Sequence, residues 1–209
     1  MFLFQELLKV NNRRQSELVK RQNWIHGLMK PNKGFAGAHL ARYMGNATDY
    51  LVLRTWDSEA DFLAFRQTSD GQNYPKSRPE GLFEGLPAGR RYDCVIDSQS
   101  NAKGNFIVRS TYAVSEGRED EFVANRRRHD GLALQVPGTV YLQTFRCLDE
   151  EGESKGTFLC IARRTDRDAY NTYLESAQAE EYRKGNVRGL YRTLATECFE
   201  LVDEVNRGS

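Results

Sequence analysis

Hydrophobic and polar positions in the first hundred residues switch between two spacings. FLFQELLKV, residues 2–10, reads as a strand, and NNRRQSELVKRQNWIHGLM places Leu18, Gln22, Ile25 and Met29 at helical spacing until Pro31 ends the run. FAGAHLARYM and TDYLVLRTW flank the turn-like GNA and predict a hairpin. Ser58 is placed to cap a helix bearing Phe62 and Phe65, and YDCVID closes the series as a last strand. The order is βαββαβ, a ferredoxin-like unit whose antiparallel sheet is covered by helices on one face.

The same pattern is written twice. FLFQELLKVNNRRQSEL aligns without a gap on FIVRSTYAVSEGREDEF at an offset of 104 residues, Phe2 on Phe106, which also sets Gly34 on Gly138 and Arg42 on Arg146. From Tyr50 on Phe158 the offset is 108; it matches Phe62 with Tyr170, Phe65 with Tyr173, Tyr74 with Tyr182, and GLFEGL (81–86) with GLYRTL (189–194). The change of offset falls between MGNATD and LDEEGESKGT, turn-like segments where an insertion is cheap. The expected organisation is a first repeat at 1–97, a linker at 98–104 and a second repeat at 105–209. One-sided sheets need their bare faces covered, so the expected fold class is α+β, with two ferredoxin-like repeats forming an intrachain dimeric α+β barrel, the sheets packed face to face.

Charge narrows the partners. Thirty basic against twenty-nine acidic residues give a net charge of +1, no footprint for nucleic acid or an anionic membrane. No run approaches the roughly 20 apolar residues of a spanning helix, and the N-terminal hydrophobic stretch is too short for a signal sequence, so the chain is expected to be cytoplasmic. Cys94, Cys147, Cys160 and Cys198 form no C-x-x-C, and G-x-G-x-x-G, P-loop and two-His-carboxylate patterns are missing. No metal and no cofactor are expected.

The stretch LVLRTWDSEADFLAFRQTSDGQNYPKS, a strand ending in Trp followed by a Ser-capped helix with two aromatics, resembles the antibiotic biosynthesis monooxygenase domain, once per repeat. The resemblance implies the dimeric α+β barrel, a ligand pocket between helices and sheet in each unit, and oxygenase chemistry on aromatic small molecules. Further assembly into a homo-oligomer is compatible with it. On the first helix Leu18, Val19, Gln22, Ile25, His26 and Met29 share one face, aligned with Phe122, Val123, Arg126, His129, Asp130 and Ala133. His26 is the candidate base, Gln22 and Tyr74 hold the oxyanion, and Trp56, Phe65, Trp24, Phe35 and Phe83 wall a flat ring. The bland alternatives are that the aromatics are core and the helix face is wetted. His39, between Ala38 and Leu40, reads as structural.

In the second repeat Arg164 stands at the position of Trp56, and Arg126, His129 and Tyr182 are the matching candidates. The expectation is that ion pairing fills this pocket and that the first repeat does the work; the counter-reading is that Arg126 and His129 form an anion-stabilising site of their own. Three functions compete. The first is a cofactor-independent oxygenase joining O₂ to a deprotonated phenol or anthrone. The second is a non-catalytic small-molecule binder. The third is haem degradation, for which the family's Asn, Trp and His are replaced by Glu6, Phe65 and Pro75 in one repeat and Ser110, Tyr173 and Arg183 in the other, leaving Tyr74 or Tyr182 as a conceivable iron ligand.

Overall fold

A computed structural model describes residues 1–100, 102–149 and 156–206. The first repeat runs β1 (Phe2–Lys9), α1 (Gln15–Met29), β2 (Phe35–Tyr43), β3 (Asp49–Trp56), α2 (Glu59–Gln67), α3 (Ser69–Asn73) and β4 (Ala88–Gln99). The second runs β5 (Phe106–Val114), α4 (Glu119–Ala133), β6 (Thr139–Cys147), β7 (Thr157–Arg164), α5 (Arg167–Glu175), α6 (Ala177–Lys184) and β8 (Tyr191–Asn206). Strands pair in the order β1-β3-β2-β8-β5-β7-β6-β4, closed into a barrel, so the tandem α+β barrel expected from the sequence is the observed fold. Closure leaves no open sheet edge to aggregate.

Two compact units divide the chain, one of residues 1–93 with the end of β8 from Glu200, the other Cys94–Phe199. In the first, β3 pairs with β1 and β2, Phe2 opposite Trp56 and Phe35 opposite Trp56, with a bulge between Phe35 and Gly37. In the second, β7 pairs with β5 and β6, Phe106 opposite Arg164 and Thr139 opposite Arg164, with a bulge between Thr139 and Tyr141. The copies therefore agree down to the irregularity. Ser98 and Gln99, in the expected linker, continue β4, and Ser100 bonds through its backbone N–H to Val140. Asn101 of that linker and residues 150–155 of the longer turn lie outside the described residues.

The repeated Gly-Leu-aromatic phrase has a structural reason. Gly81 and Gly189 take φ of 65° and 71°, a left-handed turn that only glycine adopts freely. That turn drops Leu82 and Leu190 into the core, and their carbonyls accept backbone N–H bonds from Asn11 and Ser115 at the end of each first strand. Leu82 packs with Leu8, Val10, Leu18, Leu40, Tyr50 and Val52.

Helix starts follow the caps. The Ser58 hydroxyl accepts from the Asp61 N–H, and Asp166 does the same for Ala169. The helix after Ser58 stops at Thr68 and restarts as α3, a break that the hydrophobic spacing does not predict. The Thr68 hydroxyl donates to the Phe65 carbonyl and accepts from the Gly71 N–H, ending one helix and capping the next. Ser176 repeats the device between α5 and α6.

Candidate functional site

In the first repeat α1 lays Gln22 and His26 against the sheet. Gln22 Oε1 accepts from Arg54 Nη2 at 2.8 Å, and Arg54, fully buried on β3, pairs through Nη1 with Glu6 on β1. Gln22 thus orients a buried ion pair. His26 is 0% exposed, and among the described residues neither ring nitrogen has a hydrogen-bond partner. Burial first, then the charge of Arg54 and of His39, pushes its pKa down to about 3. A neutral imidazole this hard to protonate is a feeble proton acceptor.

The aromatic candidates mostly stack on one another. Trp56 meets Phe35 edge-on at 5.3 Å and stacks with Phe65 at 5.5 Å, which stacks with Tyr74 at 6.0 Å. The Tyr74 hydroxyl accepts from Arg66 at 3.0 Å. Trp24 and Phe83 are not part of this stack: Trp24 is 46% exposed beside Arg21, and Phe83 packs on the Leu8–Leu82 cluster. His39 pairs with Glu204 at 3.1 Å, in keeping with a structural role.

The second repeat departs from expectation. Its pocket is not filled. A cavity of about 170 Å³ lies beneath α4 and α5, with Arg126, His129, Tyr173, Tyr112, Arg164 and Ser110 among its lining. The ion pairing foreseen there is present, Arg126 Nη2 lying 3.6 Å from Asp130 Oδ1, but both partners sit on one helix face and leave the space above the sheet open. Tyr182 is not in the lining; its hydroxyl donates to Asn125 at 2.8 Å and lies 3.3 Å from that of Tyr191.

A chain of polar groups runs from the cavity into the interior. The Tyr173 hydroxyl is 2.6 Å from His129 Nε2, and His129 Nδ1 is 2.9 Å from both Asp130 Oδ1 and Arg126 Nη2. With its proton on Nδ1, His129 donates to Asp130 and accepts from Tyr173. With the proton on Nε2, it donates to Tyr173 and accepts from Arg126. The ring can therefore pass a proton between its two sides. Burial, then Arg126, pushes the His129 pKa down to about 4 although Asp130 pulls the other way. Burial also raises Tyr173 and takes Tyr112 to about 12, so both phenols stay protonated. Arg164 lies 4.2 Å over the Tyr173 ring and donates to the Thr139 hydroxyl.

Sequence periodicity marked Arg126 and His129 but missed Arg54, Tyr112 and the partnership of Tyr173 with His129. An arginine inside the otherwise apolar LVLRTW was the available signal for Arg54. Nothing local signals a contact 44 residues away.

This is a tandem α+β barrel with a small, buried, positively charged cavity under the helices of one repeat. Residues 1–75 match the family described as Antibiotic biosynthesis monooxygenase, so the resemblance read from the sequence holds over that stretch. No curated protein matches the chain by sequence. Among solved structures, a candidate monooxygenase from Fusobacterium nucleatum superposes with a TM-score of 0.79 at 12% identity, covering 100% of this chain and 95% of the other. An anthrone oxidase-like protein gives 0.74 at 14%, covering 100% and 94%. A haem-degrading enzyme from Listeria monocytogenes gives 0.52 at 12%, covering 96% and 99%. At such identity the likeness is one of fold. Among the described residues no helix is long and apolar enough to cross a membrane.

Proposed function

We propose that this protein is a monooxygenase-type enzyme that activates a one-ring phenolic substrate by deprotonation, and that the cavity of the second repeat is its working site. The observation that carries the reading is the convergence of Arg126, Arg164, His129 and Tyr173 on that cavity. The family match and the monooxygenase-like fold relatives support the general chemistry. At about 170 Å³ the cavity is close to the roughly 150 Å³ of an engineered cavity that binds benzene, which favours one ring over the three of an anthrone.

The chemistry balances without a further reductant. A phenolate ring carbon passes electrons to O₂ and forms the C–O bond. The ring C–H becomes C=O, and the second oxygen leaves as water with the ring hydrogen and the phenolic one. His129, through Tyr173, takes the first proton.

Base strength alone is not sufficient. Moving a proton from a phenol near 10 to an imidazole near 4 is uphill by about 8 kcal/mol, at about 1.4 kcal/mol per unit. The buried guanidinium of Arg126, 2.9 Å from His129 Nδ1, must therefore do most of the work by stabilising the phenolate, as preorganised N–H donors in a water-poor site do.

The test is O₂ uptake by purified, metal-free protein over a panel of phenols and hydroquinones. Arg126→Ala and His129→Ala are expected to abolish turnover, while His26→Ala and Trp56→Ala, if folded, retain it. The reverse pattern would return the site to the first repeat. Stoichiometric binding without uptake across the panel would favour the non-catalytic binder.

A further inference from the structure

We infer that the ligand of the second-repeat cavity is a singly charged organic acid of one-ring size whose carboxylate is seated on Arg164. This deepens the proposed function, rests on its choice of cavity, and names the substrate class.

Arg164 is 1% exposed and lines the cavity. One Nη donates to Thr139, Nε has no partner, and among the described residues no carboxylate pairs with it. An arginine stays protonated in any protein setting, and a buried cation without a counter-charge is costly. Around the cavity Asp130 is the one carboxylate close to the two guanidinium groups, 3.6 Å from Arg126, and His129 is neutral above the acid range, so two cations face one anion. One uncompensated positive charge remains, in a space large enough for a ring. A carboxylate fits a guanidinium in the plane of its N–H fork.

The chain carries its own control for the objection that the charge is structural. The positions of Arg126, Asp130 and Arg164 are held in the first repeat by Gln22, His26 and Trp56, all neutral, and the same helix and strand form. The end of the third strand has no need of a guanidinium. Two other buried arginines are given a carboxylate, Glu6 for Arg54 and Glu197 for Arg109, and a third, Arg21, spends its N–H groups on the Ser77 and Tyr74 carbonyls, whereas the Nε of Arg164 is left open toward the cavity side of the strand.

Among the described residues both repeats also leave buried polar atoms unpartnered at these matched places. In the first they are the ring nitrogens of His26 and Trp56 Nε1; in the second, Asp130 Oδ2 and Arg164 Nε. Buried polar groups in native proteins are nearly always paired. In the first repeat packed aromatic rings fill the matched place, Trp56 against Phe35 and Phe65; in the second the unpartnered atoms sit beside the cavity, where a polar guest can reach them.

The test is calorimetric titration of the whole chain, without O₂, with benzoate and hydroxybenzoates against benzamide and phenol, and with sulfate and phosphate as plain anions. The expected result is a preference of about tenfold or more for the acids over benzamide. Arg164→Met is expected to remove that preference and Arg164→Lys to keep part of it. The comparison of benzoate with benzamide needs no variant, so it decides even if Arg164→Met fails to fold. Equal affinity for acid and amide, binding of sulfate as tightly as benzoate, undiminished benzoate binding by Arg164→Met, or no binding of the series would each overturn the inference. Acid binding with no O₂ uptake would leave it standing while the oxygenase reading fell. Uptake from phenols with no preference for acids would do the opposite.

Discussion

His26 gives a prediction that can be worked through in numbers. Its imidazole is fully buried without a hydrogen bond, and its pKa is pushed down to about 3 from 6.5. Between those values the unfolded chain binds a proton that the folded chain refuses, so the contribution is intact above pH 6.5 and is lost as pH falls toward 3. At pH 5 the loss is about 2 kcal/mol, from 1.36 kcal/mol per unit over the one and a half units below 6.5. His129, down to about 4, loses a similar amount over the same interval. In His26→Leu a group of comparable bulk cannot titrate, so the variant should lose about 2 kcal/mol less than the parent between pH 7.5 and pH 5. At pH 7.5 the variant should be as stable as the parent or more so, because unpaired buried polar atoms cost about 1–3 kcal/mol. Urea unfolding followed by tryptophan emission is the assay, and it suits the question because Trp24 and Trp56 both lie in the first repeat. Equal losses on acidification in parent and variant, or a variant weakened by several kcal/mol at pH 7.5, would refute the reasoning.

The buried arginines should separate into two kinds. Glu6→Gln strands the Arg54 cation and is expected to cost about 3–5 kcal/mol, while Glu6→Leu with Arg54→Met recovers most of it, as read by urea midpoints. Arg164→Met strands no carboxylate and should leave the unfolding free energy unchanged or raised. Trp56→Ala opens a void among Phe35, Phe62 and Phe65 and should cost about 3–5 kcal/mol, visible in the thermal midpoint.

Much of the scaffold was written locally. The hairpin at 35–44 and 48–56 and the helix ending before Pro31 appear within a residue or two of their expected bounds, because periodicity and turn residues are local signals. The two-helix form of the segment after Ser58 is not legible in the sequence, since the break at Thr68 depends on hydroxyl bonds rather than on hydrophobic spacing. The chemistry was legible in part. Helical spacing put Arg126, His129 and Asp130 on one face, but pairing charges in sequence led to the expectation of a filled pocket. Whether space remains above such a cluster depends on how α5 and the strands hold Tyr173, Tyr112 and Arg164, which spacing along one helix cannot express. Likewise, His26 looked like a base because its type suggests one; burial without a partner makes it the least suited imidazole to accept a proton at neutral pH.

The central claim is that the ligand enters the second repeat. Only three histidines are present, so their ring resonances can be followed singly by NMR while a hydroxybenzoate is titrated into the chain. The account predicts that the His129 ring signals move in proportion to occupancy and those of His26 and His39 stay in place. Movement of His26 with His129 unchanged would contradict it.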